Sequence, residues 1–143
     1  MSTLERAIEI AAQAHAGQKD KVGEPYILHC MRVMMKLAKP NDRIVAALHD
    51  VIEDTPWTLP KLRQEGFSAP VVKAVDALTH RDGEKYDAYI KRLGDVPIAR
   101  RVKLADLSDN MSHTRQMQHS DRTAEILKRY DKAVKYLRKL QSD

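Results

Sequence analysis

Four ionisable side chains crowd into the run Leu48-His49-Asp50-Val51-Ile52-Glu53-Asp54-Thr55. The run closes an apolar stretch in which Ile44, Ala47, Leu48 and Val51 recur at the i, i+3, i+4, i+7 spacing of one buried helix face. On a helix, His49 lies one turn before Glu53, and Asp50 one turn before Asp54. Three carboxylates this close repel one another unless a cation or solvent compensates them. An exposed acidic helix end is the plain reading, and two features weigh against it. Acidic side chains are unfavourable at the C-terminal end of a helix dipole, where this cluster falls ahead of Pro56. Apolar residues also interleave with the cluster, as they would beside a cleft. It reads as half of a metal site.

Two further stretches supply candidates for the other half. Tyr26, His29, Val33 and Leu37 stand at helical spacing, with Pro25 fitting the first turn of their helix. His29 is therefore directed towards other helices, as a buried neutral imidazole or as a ligand, and position alone leaves both open. In the 98–110 stretch, Ile98, Val102, Ala105 and Asp106 share a face, with Asp109 and Asn110 one turn on. Burying an unpaired carboxylate is expensive, so Asp106 needs a partner. That partner is either Lys103 at i−3 or a metal shared with His29, His49 and Asp50.

Two imidazoles and two carboxylates form a mixed donor set that suits manganese, iron, cobalt, nickel or zinc. Adjacent ligands such as His49 and Asp50 diverge by about 100° on a helix, so a metal sits between them at the end of the run. A cation there polarises a phosphoryl oxygen and lowers the pKa of water. Glu53 and Asp54, one turn on, would orient or deprotonate the attacking water. The implied chemistry is hydrolysis of a phosphate ester or anhydride.

The elements that must position these residues read as seven or eight helices in one all-α domain over 1–143. Pro and Gly are few and fall between periodic runs, strand-like alternation is essentially absent, and no repeat or interdomain linker is evident. At 143 residues, 43% hydrophobic and 31% charged, the chain has the composition of an ordinary soluble domain with a sizeable core. No apolar run approaches the ~20 residues of a membrane span, and the N-terminus lacks a signal-peptide apolar region. A cytoplasmic protein is expected. A lone cysteine, Cys30, excludes an internal disulfide and suits a reducing compartment, most simply as a small buried residue. The net charge of +5 favours an acidic partner, which leaves nucleic acid, a nucleotide or an anionic surface open.

The remaining segments each admit a plain and a functional reading. Ser2 or Thr3 can cap a first helix that buries Leu4, Ala7, Ile8, Ala11 and Ala12, with His15 on the same stripe. The 17–24 loop supplies Lys19 and Lys21, solvated or at the lip of a cleft where they bind phosphate as point charges. Thr58 can cap a short helix bearing Leu59, Leu62 and Phe67. Tyr86 and Tyr89 at i, i+3 are core residues or, at a cleft edge, donors to a phosphate. The final helix turns Ile126, Leu127, Tyr130, Ala133, Val134, Leu137 and Leu140 inward, and Lys128, Arg129, Lys132, Lys135, Arg138 and Lys139 outward. That basic face is a solvated surface suited to a helix C-terminus, or a nucleic-acid contact.

At these residues the chain resembles the HD-domain metal-dependent phosphohydrolases, and within them the small alarmone hydrolases and the hydrolase domain of RelA/SpoT-type proteins. The resemblance runs through His15-Ala16-Gly17-Gln18, Pro25-Tyr26-Ile27-Leu28-His29, the Leu48–Thr55 run, Leu78-Thr79 with Tyr86 downstream, and Val102-Lys103-Leu104-Ala105-Asp106 with Asn110. It implies a manganese-dependent hydrolase that removes the 3′-pyrophosphate from guanosine tetra- and pentaphosphate, with another borderline divalent metal as an alternative. By that resemblance, His29, His49, Asp50 and Asp106 bind manganese, and Glu53 and Asp54 handle the attacking water. Asn110 contacts the nucleotide, Lys19 and Lys21 surround base and phosphates, and Thr79, Tyr86 and Lys103 belong to the substrate pocket. The chain departs from the family where Asp20 interrupts the basic pair, and where Leu107-Ser108-Asp109 replaces the usual Arg-Leu-His before Asn110. Both departures lie on the side that selects substrate. The chain is also too short to add a synthetase domain, so a hydrolase-only role is expected. A phosphohydrolase acting on another nucleotide or a small phosphate ester is the alternative. A non-enzymatic nucleic-acid or nucleotide-binding module comes third, since it has no need of His49 or Asp50.

Overall fold

The structure, a computed structural model, describes residues 2–115 and 120–142. Among them it forms nine helical segments and one isolated antiparallel bridge between Lys19 and Pro25. They are α1 Leu4–Ala14, α2 Ile27–Met35, α3 Pro40–Leu48, α4 Val51–Asp54 and α5 Leu59–Gln64, then α6 Ala69–Leu78, α7 Tyr86–Gly94, α8 Pro97–Arg115 and α9 Asp121–Ser142. Counting the single-turn α4 with α3, which it follows after a two-residue break, gives eight. No described helix is long and apolar enough to cross a membrane.

Local chemistry starts these helices where the residue types predict. Thr3 Oγ1 accepts the Arg6 amide at 3.1 Å, Thr58 Oγ1 the Lys61 amide at 3.4 Å, and Ser68 Oγ the Val71 amide at 3.4 Å. Each bond satisfies an amide that the first turn leaves without a partner. Pro40, Pro60 and Pro70 sit in the first turns of α3, α5 and α6, where a missing N–H costs nothing. Pro25 does not. It lies ahead of α2, in the bridge with Lys19, while the Tyr26 amide donates to Gln18 O at 2.9 Å. Segment 18–26 therefore folds back on itself before α2 begins.

α3 is the centre of the bundle and packs against α1, α2, α6 and α8. Val45 and Ala46 are as buried as Ile44, Ala47 and Leu48, so α3 is covered all round from Ile44 on and does not keep one inner face. On α1 it is Ile10 that completes the buried stripe, while Ala12 is exposed. The foot of α3 is clamped by a two-pronged contact, Arg101 to the buried Asp42 at 2.7 and 3.1 Å, which fixes α8 beside it. At the other side of the bundle α7 meets α9 closely, for a Cβ on Gly94 would lie 2.9 Å from Leu140 Cδ1.

Candidate metal centre and adjoining cavity

α2 supplies His29, the end of α3 supplies His49, the start of α4 supplies Asp50, and α8 supplies Asp106. His29 Nε2 lies 2.9 Å from Asp106 Oδ1 and 4.0 Å from Asp50 Oδ2. His49 Nε2 lies 3.3 Å from Asp106 Oδ1 and 3.0 Å from Asp50 Oδ2. One atom each of His29, His49 and Asp50 falls within 4.8 Å of the others. The structure thus brings four residues from three separated stretches of the sequence together. Both histidines and Asp106 are 5% exposed or less, so the point is shielded from water.

The helix carrying His49 does not continue through Asp50. The His49 ring takes the Ala46 carbonyl at 2.6 Å, and the His49 amide reaches the same oxygen only at 3.5 Å. Asp50 then adopts φ −108°, ψ 1°, outside helical geometry, and α4 restarts after it. On an unbroken helix the two side chains would diverge; the joint turns both towards the same spot. This is a correction to the continuous run that the periodicity suggests.

Each imidazole is oriented by its far nitrogen. Ala46 O is only an acceptor, so His49 Nδ1 carries hydrogen and Nε2 faces the centre. His29 Nδ1 lies 2.7 Å from Asp109 Oδ2, and Asp109 is itself held by Arg32 Nε at 2.8 Å and Nη2 at 3.1 Å. This is the outer-sphere arrangement that fixes a ligating histidine. Tyr26 donates its hydroxyl hydrogen to Asp50 Oδ2. Two imidazole nitrogens and two carboxylates, each oriented this way, fit a borderline divalent cation.

The carboxylates also set the charge of the imidazoles. Burial opposes protonation of His29, but hydrogen bonds to Asp106 and Asp109 outweigh it and raise its pKa to about 9. Burial likewise opposes charge on His49, and Asp50 and Asp106 override it, raising His49 well above its usual value. Against the same desolvation, His49 holds Asp50 at about 2, while Lys103 and His49 hold Asp106 well below the usual carboxylate range. Protons on the Nε2 atoms and a divalent cation are rivals for the same position, so cation binding would release them.

Glu53 and Asp54 follow on α4, and both are exposed. Partial burial and the negative charge of Asp50 push both carboxyls above their ordinary pKa, as suits a group that takes up a proton. Asp54 Oδ2 accepts from Gln18 Nε2 at 3.5 Å, and Gln18 Oε1 faces His15 Nδ1 at 2.8 Å.

A cavity of about 390 Å³ opens beside the cluster, with Lys19, Lys21, Tyr26, His29, Asn110 and Tyr130 in its walls. Asn110 Nδ2 also donates to Asp106 Oδ1 at 3.3 Å. Lys103 is elsewhere: its ammonium sits 2.9 Å from Asp106 Oδ2 and 5.1 Å from the centre of the Tyr89 ring. Lys103, one of the two partners considered for Asp106, thus takes Oδ2, while Oδ1 faces the imidazoles of His29 and His49. Tyr86 packs between Tyr89 and Arg129, its buried hydroxyl without a hydrogen-bond partner. Thr79 is not in the cavity wall; its hydroxyl donates to Val75 O at 2.9 Å and closes the end of α6.

Asp109, Arg32 and the Tyr26 hydroxyl were not legible as site residues. Asp109 follows Asp106 by three positions and Arg32 follows His29 by three, so each continues a helix face. Their pairing across two helices needs the packing of α2 on α8, which a single sequence does not carry.

Comparison with known proteins agrees with this geometry. A family model described as an HD domain matches residues 7–134. The chain is 36% identical over 120 residues to a guanosine-3′,5′-bis(diphosphate) 3′-pyrophosphohydrolase of Aquifex aeolicus, covering 76% of this chain and 17% of that protein. It is 36% identical over 129 residues to a GTP pyrophosphokinase of Streptomyces coelicolor, covering 83% of this chain and 15% of that one. The chain thus spans about a sixth of the length of these relatives. In three dimensions it matches a structure of a metazoan ortholog of SpoT, described as hydrolysing ppGpp, with a TM-score of 0.82 at 22% identity. That match covers 96% of this chain and 86% of the other, and it supports the fold. An HD domain implies a divalent metal, and the His49-Asp50 joint with its partners offers the donors for one. With the match running from the middle of α1 into α9, across every segment that builds the cluster, the chain belongs to the HD-domain family.

Proposed function

We propose that this protein is a manganese-dependent phosphohydrolase that removes the 3′-pyrophosphate from guanosine tetra- and pentaphosphate. The observation that carries the reading is the convergence of His29, His49, Asp50 and Asp106 beside a cavity bearing Lys19 and Lys21. The names of relatives that share about a third of their aligned residues support the choice of substrate.

His29, His49, Asp50 and Asp106 would hold a divalent cation, which would supply Lewis acidity towards a phosphoryl oxygen and lower the pKa of water. The chain's own groups do the rest. Glu53 and Asp54, with carboxyl pKa values raised, orient the attacking water and accept its proton. Lys19 and Lys21 attract the phosphate chain, and Asn110 contacts the nucleotide from α8. Tyr26 keeps the Asp50 carboxylate turned inward. Lys103 occupies the outer oxygen of Asp106, so that the inner one faces both imidazoles. Tyr86 and Thr79 do not line the cavity; Tyr86 lies beside Lys103, and Thr79 closes α6.

The test is release of pyrophosphate from guanosine tetraphosphate by the purified chain, with manganese, with other divalent ions, and with chelator. A panel of other nucleotides and a simple phosphate ester runs in parallel. Manganese-dependent release with guanosine tetraphosphate as the best substrate is expected. Turnover that is indifferent to chelator would refute the metal reading, and preference for another panel member would refute the substrate.

A further inference from the structure

Asp20 interrupts the basic pair Lys19 and Lys21, an odd place for an acid if the loop only attracts phosphate. Its contacts give it a task. Asp20 Oδ1 accepts the amides of Val22 and Glu24, both at 3.0 Å, and the Asp20 amide donates to Glu24 O at 2.8 Å. The side chain therefore closes the loop into a turn. Gly23, at φ +87°, takes the left-handed position that the turn requires.

Asp20 Oδ2 lies 2.8 Å from Nε2 of His113 on α8. Among the described residues this is the side-chain hydrogen bond that ties segment 19–24 to another element. The other ring nitrogen, Nδ1, faces Arg32 Nη2 at 3.4 Å. A guanidinium has donors only, so Nδ1 accepts and Nε2 carries the hydrogen given to Asp20. Arg32 is in turn clamped by Asp109, which holds His29. One polar chain with a defined hydrogen direction at every link runs from the candidate metal ligand to the lysine loop.

We infer that His113 is a positioning residue: through Asp20 it holds the 19–24 loop so that Lys19 and Lys21 face the cavity and set affinity for a polyphosphate. It takes no part in bond cleavage. The identity of the ligand rests on the phosphohydrolase reading above; the latch itself does not.

Three variants test it. His113→Leu removes both ring contacts. His113→Gln restores a donor near the Nε2 position, and His113→Asn restores only an acceptor near Nδ1. Steady-state kinetics on guanosine tetraphosphate, titration calorimetry with inorganic pyrophosphate in chelator, calorimetry with manganese alone, and amide exchange at Val22 and Glu24 are read for each. In His113→Leu, KM and the pyrophosphate dissociation constant should rise about tenfold, while kcat falls less than about threefold. Exchange at the two amides should quicken about tenfold, and manganese affinity should stay within about threefold. Gln should recover most of the KM and Asn little.

An unchanged KM with unchanged amide exchange overturns the latch. So does a fall in kcat with KM held, or a loss of manganese affinity matching the loss of polyphosphate affinity. If the wild type does not turn over guanosine tetraphosphate, the substrate reading fails, and the pyrophosphate and exchange measurements still decide the role of His113.

Discussion

Lys103 Nζ lies 2.9 Å from Asp106 Oδ2, while Oδ1 of the same carboxylate lies 2.9 Å from His29 Nε2. One buried carboxylate is thus divided between an ammonium on its own helix and the inner edge of the cluster. The lysine is charged despite burial, because the Asp106 carboxylate, with the Tyr89 ring 5.1 Å away, offsets its desolvation. Lys103→Met should destabilise the protein by about 3 kcal/mol in chelator, since it leaves a buried carboxylate short of a partner. Urea denaturation with and without manganese checks this. The variant should gain more from the added ion than the wild type does.

Asp109 acts on the centre from outside it. Asp109→Ala frees the His29 ring to turn and leaves Arg32 without its clamp. Manganese affinity should fall by about 10- to 100-fold with helical content retained, the range seen when the outer partner of a ligating histidine is lost. Calorimetry alongside circular dichroism would show it. An affinity equal to wild type would mean that His29 does not ligate.

The acids on α4 should separate from the ligands. Asp50→Ala should abolish manganese binding. Glu53→Gln should keep it and lose about 100-fold or more in kcat, because general-base contributions are of that order. Full turnover in Asp50→Ala would refute the ligand assignment.

Segment 79–84 carries a separate pH signature. Arg92 pairs with Glu84 at 2.9 Å and reaches the carbonyls of Ala77 and Thr79, stitching the end of α6 to α7. The hydrogen bond from Arg92 overcomes desolvation and holds the Glu84 carboxyl at about 2, below its ordinary 4.5. The folded state therefore binds this proton less readily than the unfolded state. The contribution is full above pH 4.5 and disappears as pH falls towards 2. Glu84→Gln should lower the melting temperature at pH 7 and flatten its decline across that acid window, measured by calorimetric scans.

Gly94 tests the approach of α7 to α9. A valine there would press on Leu140 and Leu137 and should cost about 1–3 kcal/mol, with metal affinity untouched. Chemical denaturation and manganese titration together give both numbers.

Much of this was readable beforehand, and the parts that were not share a cause. The helices that start at Thr3 and Thr58 announce themselves because capping and periodicity are local. His29, His49, Asp50 and Asp106 stand out by residue type against apolar faces. Pro25 misled because a proline suits a helix start and an extended edge equally well, and only the bridge to Lys19 decides. The joint at His49-Asp50 is invisible to periodicity, for it depends on a side chain taking a backbone carbonyl. Asp109, Arg32 and His113 escape notice because each acquires meaning only across a helix interface.

Lys103, Asp106, Asn110 and His113 rise along a single rod, α8, at intervals of three and four residues. A rotation or slip of that rod would disturb ion, nucleotide and loop contacts together. A change that retunes one of them alone would have to act at the tip of a side chain, for Val102 and Leu107 on the same helix are fully enclosed and leave its axis little freedom to drift.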